Sequence, residues 1–145
     1  MGLAYSMAEA GSLSLMFSIW NVGEAIGVID AYEQRRWISP EQCTQALSNF
    51  ARESLRLARI GTLETLTLSS PLLTDAWPLV RKYHLYQADA IQILAARYSQ
   101  ADFLLSADQR LLQVAKAAGV SGLNVEEEEA VKRILEESSN RPPSS

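Results

Sequence analysis

Residues 84–125, HLYQADAIQILAARYSQADFLLSADQRLLQVAKAAGVSGLNV, decide how this chain is read. Asp89 opens an apolar helix. Phe103-Leu104-Leu105 is a short apolar run that suits a buried strand or the core of a helix. Ser106-Ala107-Asp108 follows at once, and an amphipathic helix starts there. Residues 120–125 close the stretch as a second short strand. Strand, helix and strand in that order, with apolar strands, predict a parallel pair covered by a crossover helix. A carboxylate just past the carboxyl end of a buried parallel strand stands where open α/β sheets place their ligands. Asp102, before the strand, reads as a turn residue.

The rest of the chain continues the alternation. Residues 2–10 (GLAYSMAEA) lean helical, and Gly11 ends them. Residues 13–17 (LSLMF) read as a strand, with Ser18 as N-cap of a helix over 19–34. Trp37 and Ile38 lie in a connection. Ser39-Pro40-Glu41-Gln42 is a capping box with proline at the first helical position, and it predicts a helix over 40–59 that Gly61 stops. Residues 63–68 (LETLTL) alternate and carry threonine, a strand pattern. Ser70-Pro71 opens a helix over 72–83, which Pro78 should kink or break locally. Residues 126–137 read as a charged helix with Glu128–Lys132 and Glu129–Arg133 as i,i+4 pairs. The composition of 138–145, SSNRPPSS, predicts a disordered tail. The expected fold is α/β, a three-layer α/β/α arrangement on a short parallel sheet, in one domain over residues 1–137.

A chain of 145 residues is long enough for one domain with a proper core. The net charge of −4 is uneven: residues 126–145 carry six acids and three bases, and the body is close to neutral. Bulk charge therefore lends no support to nucleic-acid binding. Cys43 is the sole cysteine, so no intrachain disulfide forms, which suits a reducing cytoplasm. The first 34 residues hold no Lys or Arg for a signal peptide, and no apolar run reaches the roughly 18 residues of a membrane span.

Four residues are candidates for chemistry. Glu24 lies on a stripe with Trp20, Gly27, Val28 and Ala31, where a carboxylate must be paired, protonated, bound to a cation or snorkelling to water. Gly23 and Gly27 weaken that helix and make sense if a backbone or ligand comes close. Asp89 and Asp108 stand at helix starts, where a carboxylate ordinarily satisfies free amides. Ser106 either caps or ends its strand. Taken together the acids say more. Carboxylates brought to one sheet edge repel, and a cation relieves them. Oxygen ligands without His or Cys suit Mg²⁺ or Mn²⁺, and such ions support phosphodiester chemistry.

These residues carry a resemblance to the PIN (PilT N-terminus) domain, the fold of VapC-type toxin ribonucleases, over residues 12–125. LYQADAIQILAA is similar to the family's helix in which Asp and Ala precede an apolar stripe. ADFLLSADQRLLQVAKAAGV is similar to its strand, Thr/Ser-x-Asp and following helix. SLSLMFSIWNVGEAIGVI resembles the second strand and the Glu-bearing helix. The resemblance implies that Glu24, Asp89 and Asp108 hold Mg²⁺ or Mn²⁺, with the Ser106 hydroxyl supporting Asp108. It implies a cytoplasmic, metal-dependent ribonuclease, often cutting tRNA or other structured RNA, that is a homodimer held by a cognate antitoxin.

The family pattern begins with a strand ending in Asp. Only 23 residues precede Glu24, and no Asp precedes Asp30. A strand, a helix, a second strand and loops need roughly 26. The chain is thus expected to lack the first strand and its Asp, through a start assigned too late or a decayed copy, and to be a weak nuclease. Glu9 is a poor substitute. The rival reading keeps the fold for dimerisation or antitoxin binding without turnover. Arg52, Arg56 and Arg59 share a face that could meet phosphates or simply be solvated beside Glu53. His84 receives no role. Trp20, Trp37 and Trp77 are expected in the core or at a dimer contact.

Overall fold

A computed structural model describes residues 2–140. In chain order its elements are α1 (Gly2–Glu9), β1 (Leu15–Ser18), α2 (Ile19–Gln34), α3 (Pro40–Arg59), β2 (Leu63–Leu66), α4 (Ser70–Tyr83), α5 (Gln87–Tyr98), β3 (Leu104–Ser106), α6 (Gln109–Ala117), β4 (Gly122–Asn124) and α7 (Glu128–Asn140). The chain is mixed α/β, and it divides into two compact units: Ser14–Thr67, and Met1–Leu13 with Leu68–Ser145.

In the smaller unit β1 pairs with β2 in parallel, Leu15 opposite Leu63 and Ser18 opposite Leu66. Buried Ser18 caps α2, and the Asn21 side chain accepts from the Ser18 N–H at 2.9 Å to complete a capping box. Ser39 and Gln42 form the expected box at the start of α3, where the Ser39 N–H donates to Gln42 Oε1 at 2.8 Å. Gly61 adopts φ +77°, which lets the Thr62 N–H reach the Leu57 carbonyl at 3.0 Å and turns the chain into β2. Cys43, Leu57 and Leu63 are the buried apolar side chains of this unit. α2 packs on α3 but buries no residue.

The larger unit is built on α5, which buries Ala90, Ile91, Ile93, Leu94, Ala95 and Ala96. The Tyr98 hydroxyl donates to Asp75 and ties α5 to α4. Leu85, Ile93, Ala96, Leu111, Ala115 and Val120 make one core cluster. Met7, Leu123, Ala130 and Ile134 make another, with Phe103 and Leu105 against it. β3 and β4 pair in parallel, with α6 as crossover. Gly119 (φ +82°) closes α6, the Val120 N–H donating to the Ala115 carbonyl at 2.8 Å.

Several expectations need correction. The single short parallel sheet is, among the described residues, two separate two-stranded parallel pairs. A Cβ at Gly23 or Gly27 meets nothing within 4 Å, so no neighbouring group comes close there. Trp20, Trp37 and Trp77 are not core residues, with exposures of 42%, 63% and 58%. α4 begins at Ser70 with Ser69 as its cap, and it continues as helix through Pro78. α7 runs three residues into the expected tail, and 141–145 lie outside the described residues. Lys132 pairs with Glu129 at i,i+3 (3.9 Å) in place of Glu128, and the Arg133 guanidinium lies over the Phe103 ring. Among the described residues no helix is long and apolar enough to cross a membrane.

Candidate functional site

β3 and β4 end together at Ser106 and Asn124, so their carboxyl ends define one edge. Asp108 is the N-cap of α6: its Oδ1 accepts from the Arg110 N–H at 2.8 Å and the Leu111 N–H at 3.1 Å. Ser106 Oγ accepts from the Asp108 N–H at 3.0 Å and so fixes the two-residue loop that presents the carboxylate.

Asp89 is the third residue of α5 and not its cap, a position held by Tyr86. Its half-buried carboxylate lies in the first turn, where the backbone at Tyr86 favours its ionised form. Burial pushes its pKa above the ordinary carboxylate value, and the negative charge of Asp108 pushes the same way. The Arg110 charge and the Tyr86 N–H oppose that rise. The charge of Asp108 is therefore felt at Asp89, 19 positions earlier in the sequence.

Arg110 completes this edge and was not singled out from sequence. Its Nη2 donates to the His84 carbonyl at 3.0 Å, and His84 ends α4 in a left-handed conformation (φ +54°). A sequence signal for it exists: a base in the first turn of a helix opposes the dipole, and so marks a nearby acid or carbonyl. A second polar network shares the edge. Glu127 Oε1 accepts from Gln109 Nε2 at 3.3 Å and from Asn124 Nδ2 at 3.1 Å.

Two carboxylates and a hydroxyl are hard oxygen donors, and each carboxylate has lone pairs beyond those its amide partners use. Burial raises Asp89 most, and the part that the charge of Asp108 adds is what a divalent ion relieves. Mg²⁺ commonly uses one or two carboxylates and keeps several waters. The residues at this edge fit such an open site. They do not form a closed cage: among the described residues no three His, Cys, Asp or Glu side chains gather to hold a metal ion.

The remaining candidates belong to the smaller unit. Glu24 is exposed on α2, in the smaller unit. Arg56 pairs with Glu53 (Nη2–Oε2 2.9 Å), and Arg52 Nε lies 3.7 Å from Glu53, so the basic face of α3 is largely internally paired. Buried Cys43 stays a protonated thiol, because the Glu33 carboxylate, with burial adding to the effect, pushes its pKa up to about 11. Compared with protein-family models, with curated proteins and with solved structures, the chain matches none.

Proposed function

We propose that this chain is a Mg²⁺- or Mn²⁺-dependent endoribonuclease of PIN type. In this reading it is the cytoplasmic toxin of a toxin–antitoxin pair, a homodimer acting on structured RNA such as tRNA and held in check by a cognate antitoxin. The reading implies the three-layer α/β/α PIN arrangement. One observation carries it: Asp108 caps α6 just past the carboxyl end of β3, and its charge adds to the burial that raises the pKa of Asp89.

The bound ion supplies Lewis acidity and charge neutralisation at a phosphodiester oxygen. Asp89 and Asp108 are the carboxylates that hold it. The Asp108 cap and the Ser106 hydroxyl fix the loop in advance, so little order is lost when a ligand arrives. The half-buried position of Asp89 strengthens its response to a cation. Glu24 enters through the resemblance alone.

The test is cleavage of a tRNA by the full chain with Mn²⁺. Slow cleavage is expected, because the first Asp of the family pattern is missing, and chelation, Asp89→Asn or Asp108→Asn should each remove it. Cleavage indifferent to the chelator or to Asp108→Asn would contradict the proposal. Glu24→Gln should also remove cleavage, with stability changing by less than about 0.5 kcal/mol at this exposed position. A second reading, the non-catalytic interaction module, is favoured by the exposed apolar side chains Ile19, Trp20, Ile26, Val28 and Tyr32 on α2. It predicts self-association or antitoxin binding without turnover at any metal concentration.

A further inference from the structure

Between α4 and α5 run His84, Leu85 and Tyr86, and each is fixed in a different way. His84 is left-handed (φ +54°), and its carbonyl accepts from Arg110 Nη2 at 3.0 Å. Leu85 is buried in the first core cluster. Tyr86 caps α5 through its backbone: its carbonyl accepts from the Ala90 N–H at 3.2 Å, and its side chain makes no capping bond. The Tyr86 side chain is 84% exposed, more than any other large apolar side chain among the described residues. Scattered exposed apolar groups are ordinary. This one is distinguished by its place: an anchored backbone presents it three residues before Asp89, at the start of the helix that carries that acid. A tyrosine so held loses little freedom when it is covered, because only two side-chain torsions remain to be fixed.

The neighbours indicate what covers it. Arg110 is exposed, and its guanidinium has N–H donors beyond the one that holds the His84 carbonyl. An aromatic face and a guanidinium brought to one short connector offer stacking to a base and hydrogen bonds to a phosphate. We propose that Tyr86 is the stacking platform for an unpaired nucleobase of RNA, and that this base adjoins the phosphodiester presented to the Asp89–Asp108 edge. The second half rests on the metal-dependent nuclease reading; the first does not. A base within a duplex has both faces covered by its neighbours, so the platform selects unpaired segments of a structured RNA. Tyr86 holds substrate away from the reacting bond, so its loss weakens binding and spares the chemical step.

Fluorescence anisotropy on the full chain, with chelator present, tests the first half. The probe is a labelled short RNA without self-complementarity, used alone and annealed to its complement. Tyr86→Ala should weaken single-strand binding about five- to hundredfold, the contribution of one stacked base. Tyr86→Phe and Tyr86→Trp, which keep a ring, should stay within about threefold of wild type. The duplex should bind wild type and Tyr86→Ala alike. Single-strand binding that Tyr86→Ala leaves unchanged, or an equal loss with the duplex, overturns the platform. Self-association abolished by Tyr86→Ala while RNA binding persists would assign the ring to a protein contact and overturn it as well. Cleavage of the single strand with Mn²⁺ tests the second half: Tyr86→Ala should raise KM by the factor lost in binding, with kcat within about twofold. Weakened binding with KM unchanged overturns the placement beside the edge and leaves the nuclease reading standing. No cleavage by the wild type, with Tyr86-dependent binding intact, overturns the nuclease reading and leaves the platform.

Discussion

α2 and α5 are both rich in apolar residues, yet α5 buries six of its side chains and α2 buries none. In α5 the buried alanines and branched residues occupy positions 90, 91 and 93–96, so they surround the helix, and α4, β3 and the first core cluster meet it there. In α2 the large residues Ile19, Trp20, Ile26, Val28 and Tyr32 remain exposed, and polar Glu24 and Asp30 are interleaved with them. Neither helix has a single apolar face; α5 is apolar nearly all round over 90–96 and has partners to cover it, whereas the large apolar side chains of α2 stay uncovered. The acids follow the same division. Asp89, anchored on the buried helix, has a perturbed carboxyl and a neighbour that perturbs it, whereas Glu24 is exposed on the unburied one.

The largest effect that tests this contrast is a pair of truncations. Ile93→Ala, at a fully buried position, should cost about 2–5 kcal/mol in a urea melt. Ile26→Ala, 44% exposed, should stay within about 0.5 kcal/mol. Equal costs would mean that α2 is covered in solution, and the contrast would fail. Next come the caps. Asp108→Ala should cost about 1 kcal/mol, while Asp108→Asn, which keeps a capping oxygen, should cost a few tenths and remove only the charge. If the two variants are equally unstable, the charge of Asp108 matters to the fold as well as to the site.

Helix ends give a smaller, opposite effect. Gln100 closes α5 in the left-handed region (φ +53°), so Gln100→Gly should gain about 0.5–1 kcal/mol in the same melt. The smallest effect is pH-dependent. The folded Asp89 carboxyl titrates above its ordinary value of 3.8, so the folded chain retains a proton that the unfolded chain releases. That deficit grows as pH rises through the window and is complete above the folded-state pKa. Asp89→Asn should therefore raise Tm at pH 7, and the gain should vanish below about pH 3.8. A gain that persists in acid would point to packing instead of charge.

Much of the fold was legible where local chemistry is decisive. Ser18, Ser39 and Gln42 place the starts of α2 and α3 because capping needs nothing beyond four residues. Gly61 marks the end of α3 for the same reason. The end of α5 was less visible: Gln100 adopts the conformation a glycine would have advertised. The exposure of the tryptophans and the open space at Gly23 and Gly27 depend on which helix face finds a partner, which periodicity could not decide on a helix with no single stripe. At the edge, Asp108 and Ser106 were readable as a local motif. Arg110 was not, since its meaning rests on a carbonyl 26 residues away.

The central claim is that Asp89 and Asp108 share one edge and repel there until a cation relieves them. NMR titration of the Asp89 carboxyl, in wild type and in Asp108→Asn, without and with Mg²⁺, measures this directly. The account predicts an elevated midpoint in the wild type that falls in Asp108→Asn and falls again when Mg²⁺ is added to the wild type. A midpoint at the ordinary carboxylate value, indifferent to both changes, would contradict it.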